Sequence, residues 1–266
     1  MSPPVRVQLP CPEPGWLIEI TDDESRTLIR RDSDVSYHSR CGAAAECDHV
    51  YLSNGGCSIG ETSDETSRWP TTILEVGLGT GMSMLRTLDR MVANDRPLRY
   101  IGIDRHPLMS ETLEQLDLAR GLQKPELATK FLRWYSESRA AISIIPAVET
   151  GSVLPLRWSP TERHVVDYLV GDVLDWITGA EVTVDTVYFD VFDPKTNPEV
   201  WEISFLRELV KRIKPGGRLV TYCVASEIRR RMEAAGLEVR RVPGPRGGKR
   251  EVMIAVRPEF PDHARG

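Results

Sequence analysis

No stretch of the 266-residue sequence approaches the roughly 20 consecutive apolar residues of a membrane span, so no transmembrane helix is expected. The first residues, Met1-Ser-Pro-Pro-Val-Arg6, lack the apolar core of a secretory leader, and a cytoplasmic location is expected. The five cysteines, Cys11, Cys41, Cys47, Cys57 and Cys223, contain no CxxC pair. An odd, scattered set gives no disulfide framework and suits a reducing compartment. Cys41, Cys47, His49 and Cys57 fall close together, but structural zinc ligands usually pair two to four residues apart, so no metal is expected. Internal repeats are absent. So is the overall positive charge of a nucleic-acid binder, since 34 Lys/Arg against 39 Asp/Glu leave a net −5.

What is present is the composition of an ordinary globular chain, 41% hydrophobic and 27% charged. This length accommodates one large α/β domain with an added N-terminal element, and its core needs no disulfide or metal. The charge is unevenly spread. Phe205–Arg257 carries 14 Lys/Arg and 5 Asp/Glu, a balance of +9, which leaves −14 on the rest. A basic C-terminal third on an acidic body suits a phosphate-bearing partner, and solvated helix faces give the same pattern.

Three zones follow one another. Residues 1–68 are rich in Pro, Ser, Asp and Gly, with short apolar runs at Trp16–Ile20 and Val50–Leu52 that predict strands of a β-rich N-terminal extension. Gly60–Arg68 is polar and predicts a linker or exposed loop. From Thr72 the pattern alternates. Strands are expected at Thr72–Val76, Arg99–Asp104, His164–Val170, Thr183–Phe189 and Arg218–Cys223, and helices at Met82–Asn94, Leu108–Gly121, Ser204–Ile213 and Ala225–Ala235. Lys214-Pro-Gly-Gly217 should stop the third helix. Leu237–Arg241 and Glu251–Val256 flank the turn Pro243–Gly248 and suggest an antiparallel hairpin. Arg139–Arg163 has no clear period and reads as an insertion or long loop. The alternation predicts an α/β, doubly wound and mainly parallel sheet over residues 69–266.

A glycine loop, Glu75-Val-Gly77-Leu-Gly79-Thr-Gly81, joins the first strand of this zone to its first helix. There the missing Cβ lets the backbone approach a ligand closely. Its GxGxG spacing is neither the GxGxxG of dinucleotide binders nor the GxxxxGK[ST] of the P-loop, which disfavours NAD. Asp104 ends the second strand, 23 residues beyond Gly81, where a carboxylate can accept both ribose hydroxyls. Asp172 and Asp190 end two later strands. Any one of these aspartates serves equally well as a helix cap or a turn, but their succession at strand ends is harder to obtain by chance. Together with Glu75, the loop and the three acids resemble the cofactor site of Rossmann-like S-adenosyl-L-methionine-dependent methyltransferases. Asp172 matches the acid that meets the adenine amine there.

Phe189-Asp-Val-Phe-Asp-Pro-Lys-Thr-Asn-Pro-Glu-Val-Trp201 resembles the "DGFAPxKNPxxW" signature of MnmC-type tRNA methyltransferases. Asp34–Tyr37, Gly42–Glu46 and Val50-Tyr-Leu52 resemble that family's "YFS…GLAE…VFL" region, and Ile103–Leu108 its "FEKxPL" turn. Gly216–Tyr222, Val224–Arg230, Ala235–Val239 and Gly248–Met253 are similar to its C-terminal segments, including "GRKREM". The resemblance runs from about residue 34 to 256 and implies a methyltransferase without a following FAD-dependent oxidase domain. It implies methylation of 5-aminomethyl-2-thiouridine at the tRNA wobble position, with tRNA bound at its anticodon region. Asp193 and Lys195 depart from the family's alanines, and Thr196 replaces its lysine, with Lys195 beside it to take over that role. These departures keep open a small-molecule amine methyltransferase or a spermidine-synthase-like aminopropyltransferase, as well as an inactive binding domain.

The resemblance assigns catalysis to Asp190, which can orient an amine and accept its proton. Tyr37 and Phe192 are candidates to pack against the uracil ring or the sulfonium, or to serve as ordinary packing, and Asn197 belongs to the substrate loop. Lys249 and Arg250, in a glycine-rich turn, are candidates for anticodon phosphates.

Overall fold

The computed structural model describes residues 6–33, 35–57, 69–144 and 152–259. Asp34, the polar run Gly60–Arg68 and residues 145–151 lie outside the described residues. Three N-terminal strands, β1 (Gln8–Pro10), β2 (Trp16–Ile20) and β3 (Arg26–Arg30), pair antiparallel in sequence order. One turn of helix α1 (Ala43–Glu46) then continues as a wider π-helix, Cys47–Ser53.

The alternation from Thr72 onward builds an eight-stranded sheet. Its strands are β4 (Thr72–Val76), β5 (Leu98–Asp104), β6 (Leu154–Thr161), β7 (His164–Val170), β8 (Val184–Phe189), β9 (Ile213–Thr221), β10 (Glu238–Pro243) and β11 (Glu251–Val256). Their order is β10-β11-β9-β8-β4-β5-β7-β6, with β9, β8, β4, β5 and β7 parallel and the outer strands antiparallel. The chain winds from β4 outward to β7 and β6, then returns to β8 on the other side of β4. That reversal opens a crevice at the carboxyl ends of β4 and β8.

Successive side chains of a strand point to opposite faces, so each central strand feeds two cores. Ile73, Tyr100 and Tyr188 join one buried cluster, and their neighbours Leu74, Ile101, Val187 and Phe189 join the other. Helix α2 (Met82–Ala93) presents Met84, Leu85, Leu88 and Met91 at helical spacing to the first cluster. Helix α6 (Ile203–Arg212) presents Phe205, Leu206 and Leu209 to the second. Shorter helices α3 (Ser110–Gln115), α5 (Val173–Gly179) and α7 (Ser226–Ala234) complete the crossovers with α4 (Glu126–Ile144). Ile18, Leu28, Val50, Tyr51 and Leu52 share the cluster of Met84 and Phe131, so the described residues of the N-terminal zone have no separate core.

Three sequence expectations need correction. Val50–Leu52 is helical, not a strand; all three side chains are buried, and a short apolar run enclosed on every side has no period to reveal its type. The described residues of 139–163 are not one long loop. They hold the end of α4 and all of β6, where Leu154, Leu156 and Trp158 turn inward while Pro155, Arg157 and Ser159 are exposed. Pro155 and Pro160 mask that alternation, yet an outermost strand tolerates proline. The helix expected over Leu108–Gly121 narrows to Ser110–Gln115. Lys214–Gly217 does end α6, but as the start of β9, which shifts register against β8 between Val184 and Thr186.

Phe131 of α4 is 1% exposed, with ring centroids of Trp158, Tyr135 and Trp134 at 5.5, 5.7 and 6.1 Å. Phe131→Ala leaves a cavity there and is expected to destabilise the fold by about 3–5 kcal/mol in urea denaturation.

Candidate functional site

The crevice contains a cavity of about 690 Å³, within the ~300–1,000 Å³ range of ligand sites. Its floor is the turn that follows β4. The Asp190 amide donates to Val76 O at 3.0 Å, which draws the ends of β4 and β8 together. At that crossing Gly77 has φ +88°, and a Cβ on it would lie 2.4 Å from the Asp190 carbonyl oxygen. No other residue fits. The Gly79 amide donates to Asp104 Oδ2 at 2.8 Å, and both residues line the cavity. Gly81 lies just outside it as the N-cap of α2. Glu75 also stands outside: it is 1% exposed and accepts the Tyr100 phenol at 2.7 Å. Burial, and then the charge of Asp190, hold its carboxyl well above the usual carboxylate range.

Three acids face the cavity from successive strand ends. Asp104, after the Gly79 bond, also accepts the His106 amide at 2.8 Å, and burial raises its pKa against both donors. Asp172 caps α5 through Leu174 N at 2.9 Å and pairs with Arg105 Nη1 at 3.1 Å. The helix cap that sequence allowed for it is therefore real, and it coexists with exposure to the cavity. Asp190 accepts the Tyr51 phenol at 2.5 Å. Burial pushes its carboxyl up to about 8; the Tyr51 bond and Lys249 oppose the rise, and Glu46 and Asp104 add to it.

Tyr37 and Phe192 meet edge-to-face, centroids 5.4 Å apart, and Trp16 meets Tyr37 at 5.0 Å. All three line the cavity, with Arg30 stacked on Trp16 at 5.5 Å. Burial, followed by the charge of Asp104, raises the Tyr37 phenol. The loop after β8 is locked locally. Asp193, where the family pattern has alanine, accepts the Lys195 amide at 2.8 Å and the Thr196 amide at 3.3 Å, and Trp201 Nε1 donates to Phe192 O at 3.0 Å. Asn197 and Thr196 line the cavity, while Lys195 is exposed and outside the lining. Lys249 reaches the rim, its Nζ 3.9 Å above the ring of Tyr222, itself a lining residue. Arg250 is exposed and outside the lining.

Sequence reasoning missed Trp16, Arg30, Glu46, Tyr51 and His38. Trp16 read as an ordinary strand residue and Tyr51 as part of an apolar run, while Arg30 carried no assignment. His38 is buried against Thr80 of the glycine loop, Nε2 to Oγ1 3.0 Å, and burial lowers its pKa to about 4, so it packs there as a neutral ring. Among the described residues no three His, Cys, Asp or Glu side chains form a metal site, and no helix is long and apolar enough to cross a membrane.

A family profile described as S-adenosyl-L-methionine-dependent methyltransferase matches residues 156–258. With the glycine-loop crevice, this puts the chain among the methyltransferases that use S-adenosyl-L-methionine. Within that class it is MnmC-like. It is 32% identical over 224 residues to the tRNA 5-methylaminomethyl-2-thiouridine biosynthesis bifunctional protein MnmC of Methylibium petroleiphilum, covering 82% of this chain and 31% of that protein. The protein of the same name from Delftia acidovorans is 28% identical over 248 residues, 89% of this chain and 34% of its own length. The chain thus spans about a third of the curated relatives it matches. In fold it is similar to MNMC2 of Aquifex aeolicus, TM-score 0.67 at 22% identity, over 94% of this chain and 71% of that one.

Two outcomes follow from the site. Gly77→Ala drives a methyl into the Asp190 backbone and should weaken S-adenosyl-L-methionine binding at least tenfold in calorimetric titration. The second concerns pH. Because the folded carboxyl of Asp190 titrates near 8 against an ordinary 3.8, the fold keeps a proton that the unfolded chain releases. Its contribution is complete below about pH 4 and is lost as pH rises to 8. Asp190→Asn should remove that loss, so its denaturation midpoint gains on the parent chain from pH 4 to 8; parallel curves would contradict the assignment.

Proposed function

We propose that this chain methylates the amine of 5-aminomethyl-(2-thio)uridine at the wobble position of tRNA, giving the methylaminomethyl form. The observation that carries the reading is Asp190: a carboxyl at the cavity floor, beside the glycine loop, whose pKa stands near 8. The names of the MnmC relatives support the choice of acceptor.

The residues present fit the cofactor. Gly77 and Gly79 leave the backbone open to close approach, and Asp104 retains lone pairs for the ribose hydroxyls beyond its two amide donors. Asp172 keeps comparable capacity for the adenine amine. Glu75 and Gly81 support the loop from beneath instead of touching the ligand. When bound, S-adenosyl-L-methionine supplies a sulfonium methyl, which the amine nitrogen takes by in-line displacement as the C–S electron pair returns to sulfur.

The amine arrives mostly protonated, since an alkylammonium loses its proton only near pH 10. An ordinary carboxylate is far too weak a base for it. Burial brings Asp190 about four units closer, from 3.8 to about 8, so the ammonium proton passes to it with much less cost. A carboxylate beside an ammonium also raises the amine's own pKa. Asp190 therefore works chiefly by holding the nitrogen in line and by taking its proton before the freed lone pair attacks the methyl. Tyr37 and Phe192 hold the uracil ring and Asn197 closes the loop beside it. Lys249 and Arg250, at and beyond the rim, meet anticodon phosphates. In this reading residues 1–68 form an extension that walls the methyltransferase domain 69–266, and the protein works in the cytoplasm on tRNA.

The test is incubation with labelled S-adenosyl-L-methionine and bulk tRNA from cells lacking the enzyme. Nucleoside digestion should yield labelled methylaminomethyluridine, and Asp190→Asn should cut the rate by about 10²–10⁴ while cofactor affinity stays within a few-fold. Label on polyamines alone would sink the reading in favour of a small-molecule amine transferase.

A further inference from the structure

Tyr51 is 1% exposed and its phenol donates to Asp190 Oδ1 at 2.5 Å, across 139 residues of sequence. The residue is held at three points. Its carbonyl accepts the Gly55 amide at 2.8 Å, its ring packs on Tyr188 at 5.4 Å, and its hydroxyl meets the acid. It sits in the π-helical segment Cys47–Ser53, whose wider winding is a rare conformation that recurs at functional sites. The family pattern reads Val-Phe-Leu where this chain has Val50-Tyr-Leu52, so the slot accepts a plain aromatic ring. A buried hydroxyl costs stability unless it is bonded, and here its bond goes to the one acid the chemistry needs.

We propose that Tyr51 is a positioning residue for Asp190: it occupies Oδ1, fixes the plane of the carboxyl and leaves Oδ2 to exchange the proton with the acceptor amine. This rests on the reading of Asp190 as the group that takes that proton. The surroundings of Asp190 make the phenol consequential. Glu46, Cys47 and Tyr51 face it from α1 and the π-helix, Glu75 from β4 and Asp104 from β5. Tyr222 faces it from beyond β9, and Lys249 from the β10–β11 turn. Lys249 is the single cation in that set. A hydrogen bond to the ionised carboxylate favours ionisation, so the phenol holds the acid below the value that burial alone would impose.

The experiment follows the Asp190 carboxyl directly, by NMR titration of the full chain labelled with carboxyl-¹³C aspartate, using Asp190→Asn to assign the signal. Beside it, the pH dependence of methyl transfer to the tRNA substrate is measured. Tyr51→Phe should move the Asp190 titration upward by about one pH unit or more, the effect of losing a hydrogen bond to a charged group. The rising limb of kcat/KM should move with it, cutting the rate about tenfold at pH 7 with KM for S-adenosyl-L-methionine unchanged. In Asp190→Asn, adding Tyr51→Phe should cause no further loss. An Asp190 titration unmoved in Tyr51→Phe overturns the proposal while leaving the role of Asp190 intact. Full activity in Asp190→Asn overturns that role, and the proposal with it.

Discussion

The hydrogen bond from the Asp190 amide to Val76 O is the constraint on which the site depends. It ties together the carboxyl ends of β4 and β8, strands separated by more than 100 residues but adjacent where the winding of the sheet reverses. Once these ends cross at that distance, residue 77 must be glycine, and the loop turns up into the cavity. The same contact sets Asp190 beside the place where the backbone comes nearest a ligand. Glycine loop and acid are therefore one structural unit.

The second organising fact is a group of buried acids around the glycine loop. Asp104, Asp190, Glu75 and Glu46 are all sheltered from water, and burial raises the pKa of each. Glu75 shares its proton affinity with Tyr100 deep under the loop, and Glu46 accepts the Ser39 amide at 2.6 Å. The cavity itself is lined by charge of both signs, Asp104, Asp172, Asp190, Glu13 and Glu199 together with Arg30, Arg105 and Arg139. In the proposed reaction a sulfonium and an ammonium would each lower the cost of ionising Asp190.

Legibility in the sequence followed the physical range of each signal. Alternating apolar periods, Gly77, and the strand-end positions of Asp104, Asp172 and Asp190 are local and could be read directly. The three acids all reach the cavity. The N-terminal wall was far less legible. Trp16 and Arg30 come to the site because β2 and β3 fold over the carboxyl edge of the sheet, and no short-range pattern encodes that docking; Tyr37, which lines the same cavity, was reached through the family resemblance. Pro155 and Pro160 hid β6, and enclosure on all sides hid the helical state of Val50–Leu52.

The sequence by itself determined the doubly wound sheet, the glycine turn and the acids at its strand ends, because strand period and backbone freedom are properties of neighbouring residues. Tertiary structure alone decided the rest. It took Glu75 and Gly81 out of the cavity, gave Asp172 a helix to cap, and brought the Tyr51 phenol to Asp190. Burial and electrostatic coupling depend on groups distant in the chain, and only the packed fold sets the distances between them.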